Sequence, residues 1–319
     1  MLGQVREWIG NVAEVVSRYR KQNPNQQTQI KMKTKQLFLG AAIVASTVSP
    51  LAAVTLLNDT FSDNERATQS LTGSAEWAFS NSGASNSNTS LSASTGALVY
   101  TATTSSGQFS TAYFAPSGSP VGLADGESIT LSFNFSLSSI VANEEGLRFG
   151  IFNSNGTRFA TGFSSAELDL TSTVHEPTSG YLAAANPGAT TGTSTFSVRE
   201  KFNNSGTTPF SLTGTIGTNN TAAYLSLAAA TTYSAMFSIT RSGANAVLSS
   251  TINGITQTGT DTGASAGFNF DQISIFTNSA PVPTNATFTI DNVNVTVVPE
   301  PSVALLGALG TLALLRRRR

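Results

Sequence analysis

A chain of 319 residues, 39% hydrophobic but only 11% charged, has room for one large β-domain plus flanking segments, and its Ser, Thr, Asn and Gly background suits strands and turns better than long helices. The formal charge of −1 conceals a segregation: residues 54 to 298 hold six Arg and Lys against fifteen Asp and Glu, a balance of −9 that excludes a nucleic-acid-binding face. With no cysteine, disulfide frameworks, thiol nucleophiles and thiolate metal sites are excluded together.

Residues 1 to 31 form a basic, Gln- and Asn-rich leader with an amphipathic start, Leu2 to Val16. They are expected to lie outside the fold, either because translation starts at Met32 or as an unusually long n-region of the segment that follows. From there MKTKQLFLGAAIVASTVSPLAA has the three parts of a secretory signal peptide: Lys33 and Lys35, the apolar run Leu37 to Val44, and the small-residue exit Leu51-Ala52-Ala53. The run is shorter than the ~20 residues of a stable span. Export through the Sec machinery is therefore expected, with cleavage after Ala53 and a mature start at Val54.

The body, 54 to 298, reads as strands separated by turns. SITLSFNFSL, Ser128 to Leu137, puts Ile129, Leu131, Phe133, Phe135 and Leu137 on one face and Ser, Thr and Asn on the other, the pattern of a half-buried strand. Gly146 to Phe152 is a second strand, and the turn Asn153-Ser154-Asn155-Gly156 is expected to fold it into a hairpin with Thr157 to Phe163. The Thr-, Gly- and Asn-rich stretch 165 to 220 is expected to hold the longest loops. YSAMFSIT (233 to 240) and Ala246 to Ile252 follow, the latter closing on the turn signal Asn253-Gly254. FDQISIFTN (270 to 278) and ATFTIDNVNVTVV (286 to 298) complete the set, and a change of parity near Asp291-Asn292 predicts a bulge. The expected fold is all-β, an antiparallel sandwich.

Chemistry is sparse. The sole histidine, His175, is expected to be a solvated loop residue without a triad or metal role. Glu167-Leu168-Asp169 matches two acids of the Glu-x-Asp-x-x-Glu strand of jelly-roll glycoside hydrolases, but Ser172 stands where the third acid belongs, so no general acid is available. The chain is accordingly read as non-enzymatic. Candidates for a structural Ca²⁺ are Asp125 and Glu127, Glu144-Glu145, and Asp291 with Asn292, none with EF-hand spacing; no other cofactor is expected. Most of the 19 Phe fall on core parities, leaving Trp77, Tyr113 and Tyr181 as the aromatic residues to consider as sugar platforms.

The chain closes on Pro299-Glu300-Pro301, the fourteen uncharged residues Ser302 to Leu315, and Arg316, Arg317, Arg318 and Arg319. As a helix the apolar run reaches about 21 Å, short of the ~30 Å hydrocarbon core, so it is a marginal span suited to transient insertion in an inner membrane. The four arginines would stay cytoplasmic and leave the body outside. This tail resembles the PEP-CTERM sorting signal of Gram-negative bacteria, which implies an exosortase-type membrane enzyme as processing partner. Separate pieces of residues 120 to 298 (DGESITLSFNFSL, LRFGIFNSNGT, YSAMFSITRSGANAVLSSTINGI, FDQISIFTN, FTIDNVNVTV) resemble the concanavalin A-like jelly-roll domains that often precede such tails. The resemblance implies an exported protein of the cell surface or extracellular polysaccharide matrix. The alternatives are a carbohydrate-binding, lectin-like module and, more distantly, a glycoside hydrolase.

Overall fold

A computed structural model describes residues 52–66, 73–81, 91–93, 96–101, 108–140, 146–158, 175–188, 196–202, 209–210, 213–220, 225–263, 267–277 and 286–299. The compact unit that contains them runs from Ala52 to Glu300. The leader, the signal-peptide run, the short C-terminal helix expected over 302 to 315, and Glu300, Pro301 and Arg316 to Arg319 lie outside the described residues.

The described residues hold two large antiparallel sheets and no α-helix. The first sheet has the order β14 (Ile255–Asp261), β13 (Asn245–Ile252), β12 (Tyr233–Ser242), β7 (Ser128–Leu137), β17 (Thr287–Val298), β4 (Leu98–Thr101) and β3 (Leu91–Ser92), with β1 (Val54–Asp59) also paired to β17. The second runs β11 (Thr213–Asn220), β10 (Phe196–Lys201), β9 (Ser179–Ala185), β8 (Leu147–Asn153), β16 (Gln272–Thr277), β5 (Gln108–Tyr113) and β2 (Trp77–Asn81). A small ribbon joins β6 (Val121–Gly122) to β15 (Asn269–Phe270). The chain crosses repeatedly between the sheets, as in a jelly roll.

β7 shows why the sequence folds this way. Its burial alternates without exception, the five apolar residues turned inward and the hydroxyl and amide residues outward. Phe133 and Phe237 of the first sheet meet Phe149 of the second at ring separations of 5.1 and 6.4 Å, so aromatic edges lock the two layers together. The expected turns also fall in place: Asn253 and Gly254 both have positive φ (48° and 79°), the backbone that a two-residue hairpin demands, and they join β13 to β14. Asn292, at φ 52°, sits in the irregularity between Asp291 and Asn294, where the parity change placed a bulge.

The stretch 165 to 220 carries three strands, β9, β10 and β11, between its connecting segments; its small residues are accommodated because Ala183 and Ala185 pack between the sheets while Leu182 and Ala184 pack on the outer side. One expectation needs correction. The partner of β8 across the sheet is β9, not Thr157 to Phe163, and β16 occupies its other edge. The chain after β8 is held instead by Asp271, whose buried carboxylate accepts from Ser154 N (2.7 Å), Ser154 Oγ (2.6 Å) and Arg158 Nη2 (2.6 Å).

The second sheet is covered on both faces. Phe109, Phe152, Leu182, Ala184 and Phe276 form an outer cluster beneath Phe210 from a connecting segment, which explains why all six residues of β16 are buried. Gly150 marks the tightest approach: a Cβ there would lie 2.3 Å from the Tyr181 carbonyl oxygen and 2.8 Å from Leu182 Cα. Gly150→Ala should therefore lower stability by about 1–3 kcal/mol, read by urea unfolding, whereas Ser249→Ala on the polar face of β13 should stay within about 0.5 kcal/mol.

Candidate functional site: a pocket beside Tyr181

On β10, Phe196 and Val198 face the core, and the next residue of that parity is Glu200, a carboxylate only 8% exposed. It stands opposite Tyr181 in the β9–β10 register. The Tyr181 hydroxyl donates to Asp261 Oδ2 across 2.8 Å, and Asp261 Oδ1 accepts from Gly263 N, which ties the second sheet to the end of β14 in the first. Burial, the hydrogen bond to Asp261 and the negative charges of Asp261 and Glu200 push the Tyr181 phenol far above its ordinary range, so it remains a neutral donor.

Lys201, of the opposite parity, turns away from the core and donates its ammonium to the carbonyls of His175 (3.2 Å) and Thr178 (2.8 Å). Burial brings it down to about 8, against the upward pull of Glu176. His175 is buried at 2% exposure with its ring edge-on to Phe109 at 5.2 Å, which corrects the expectation of a solvated loop residue. Burial, with the charge of Lys201, holds its imidazole down at about 3.

Where the ends of β8, β9 and β10 meet β15, the sandwich opens into a cavity of about 170 Å³. Asn153, Ser179, Tyr181, Glu200, Phe202 and Asn269 contribute to its wall. Phe202 is 45% exposed, and a Cβ at Gly214 of β11 would come within 3.2 Å of its ring; the bare backbone at Gly214 is what lets the ring lie there. The wall thus combines hydroxyl, amide and carboxylate groups with an exposed aromatic ring.

The residues singled out by sequence are placed differently. Trp77 is fully enclosed: its Nε1 donates to Asp59 Oδ2 (2.9 Å) and its ring packs on Phe61, so no face is open to a sugar. Tyr113 has the Arg158 guanidinium 4.5 Å above its ring. Of the three aromatic candidates Tyr181 alone borders the pocket, as an inner wall. Asp125 accepts from Gly243 N (2.6 Å) and Glu127 from Ala124 N (2.8 Å), while Asp291 accepts from both nitrogens of Asn292. These oxygens fasten turns and a bulge. Among the described residues no three His, Asp or Glu side chains come together as a metal site. Glu144, Glu145, Glu167 and Asp169 lie outside the described residues. Glu200 and Phe202 were missed by sequence reasoning, although a carboxylate in phase with Phe196 and Val198 is a readable signal.

No protein-family model and no curated protein matches the chain. Among solved structures it is similar to the potassium-bound Emp46p carbohydrate recognition domain, with a TM-score of 0.42 at 11% identity over 77% of this chain and 96% of that one. The lectin UEA-II complexed with galactose gives 0.41 at 12% identity, over 79% and 100%. A Bacillus subtilis protein of unknown function with a galectin-like fold gives 0.43 at 11%, over 79% and 99%. At this distance the likeness is one of fold alone.

Because His175 is held at about 3 against 6.5 when unfolded, the unfolded chain binds the extra proton as pH falls. Stability from this group is complete above pH 6.5 and is lost progressively between 6.5 and 3, at up to about 1.4 kcal/mol per pH unit. In His175→Gln the acid limb of a stability–pH curve should flatten by that slope. An unchanged limb would show that His175 is not the buried group that titrates there.

Proposed function

We propose that the chain is an exported, non-catalytic β-sandwich, delivered by its two ends to the outer surface or polysaccharide matrix of a Gram-negative bacterium. The signal peptide is removed after Ala53, and residues 299 to 319 act as a PEP-CTERM sorting signal. In this reading the tail enters the inner membrane transiently and an exosortase-type enzyme cuts it.

One observation supports this reading most directly: Val54 pairs with Val297 in the β1–β17 ladder. The residue expected to begin the mature chain and the one that nearly precedes Pro299 are neighbours at the end of one pair of strands. Removing both targeting segments at those points would cost the sandwich no strand. The outer face of the first sheet, with Thr130, Ser132 and Asn134 on β7 beside Ser234 and Ser238 on β12, is rich in hydroxyl and amide groups, with Met236 among them and Asp291 next to Asn134, which suits an exterior matrix.

The test is the intact mass and location of the protein in a host with an exosortase-type enzyme and in one without it. Loss of the tail near Pro299 only in the first host, with Val54 as the new start, is the expected result. A full tail in both hosts, with the protein fixed in the inner membrane, would make the tail a simple anchor. For the absence of catalysis, incubation with matrix polysaccharides should release no new reducing ends; release that disappears in Glu167→Gln would restore the hydrolase reading. A second reading, compatible with the first, is that the sandwich binds carbohydrate, and what favours it is the polar pocket with Phe202 at its mouth.

A further inference from the structure

We infer that the pocket between the ends of β8, β9, β10 and β15 takes a single neutral pyranose ring, stacked on Phe202 and hydrogen-bonded by Glu200, Asn153 and Asn269. This inference rests on the carbohydrate-binding reading and narrows it to one place and one ligand class.

Size sets the first limit. About 170 Å³ falls below the ~300–1,000 Å³ of pockets that enclose drug-sized ligands, so it admits one ring and not a length of polymer. The wall sets the chemistry. The Asn269 amide can both donate and accept, the Asn153 amide, whose oxygen accepts from Asn155 N (2.8 Å), has its nitrogen to donate, and the Glu200 carboxylate accepts, which matches the mixed donors and acceptors of vicinal hydroxyls. Phe202 adds an apolar plate: its ring rests against the glycine backbone of β11 at Gly214 and is 45% exposed. A pyranose carries polar groups at its rim and C–H bonds on its faces, and this wall offers a counterpart to each.

Charge decides between classes of sugar. Lys201 borders the pocket, but its ammonium is turned away from it, to the carbonyls of His175 and Thr178. Glu200 puts a carboxylate in the wall, and a second one, Asp261, stands behind the wall on the Tyr181 hydroxyl. A uronic acid would bring another carboxylate into a confined space beside them, where like charges repel strongly. The −9 balance of residues 54 to 298 opposes acidic polysaccharide from a distance as well.

The experiment titrates the purified, exported protein with D-glucose, D-galactose, N-acetyl-D-glucosamine and D-glucuronate, by calorimetry and saturation-transfer NMR. Phe202→Ala removes the plate, Gly214→Val displaces it, and Glu200→Gln keeps the shape while removing the charge; unfolding midpoints establish that each variant is folded. The expected result is binding of at least one neutral sugar and none of D-glucuronate, with affinity about tenfold lower in Phe202→Ala and Gly214→Val. In Glu200→Gln, discrimination against D-glucuronate should relax. Neutral-sugar binding that all three folded variants retain would overturn the pocket assignment and leave carbohydrate binding standing. A preference for D-glucuronate would overturn the ligand class. Binding of none of the four at tens of millimolar would overturn the carbohydrate reading and this inference together, without touching delivery to the surface.

Discussion

The last strand holds the sandwich closed. β17 is hydrogen-bonded along one edge to β7 and along the other to β4 and then β1, changing partner at the bulge between Asp291 and Asn294. The chain's first described strand therefore pairs with its last, and the central sheet position is filled only when the body is complete. Such a topology is dominated by contacts distant in sequence, which slows folding and favours all-or-none assembly. A chain without cysteine depends on this closure and on the aromatic core for its durability.

Buried carboxylates do the remaining fastening, each at a place where the regular ladder gives out. Asp59 ends β1, accepts from Phe61 N and Trp77 Nε1, and has its acidity weakened by burial, partly offset by those bonds. Asp271 binds the chain after β8, and Asp261 binds Tyr181 across the two sheets. The last of these stands next to the pocket. The opening beside Tyr181 is thus flanked by a fixed hydrogen bond on its inner side and by the strand ends of β8 and β10, so its shape is set by the scaffold before any ligand arrives.

Much of the architecture was legible because period-2 alternation is strong in β7, β12, β13 and β17, and because Asn253-Gly254 has one favoured backbone. The bulge at Asp291-Asn292 was legible for the same reason, as a break in parity. β9 and β10 were not. SGYLAAA is apolar on both parities because the outer cluster around Phe210 covers its second face, and such a strand has no alternation to detect. The site was harder still. Trp77 drew attention by residue type, yet its indole is a core group satisfied by Asp59, while Phe202 owes its exposure to the end of β10 and to Gly214 on the next strand. Neither relation is local in sequence.

The self-sufficiency of residues 54 to 299, with the segments on either side serving as address, is the proposal on which the rest depends. Its most direct test compares the urea unfolding midpoint and amide-exchange protection of the full chain with those of a chain limited to residues 54–299. Equal midpoints and full protection of the β1 and β17 amides are predicted. A shortened chain that unfolds earlier by more than about 1 kcal/mol, or exchanges freely along β17, would mean that the ends are part of the fold.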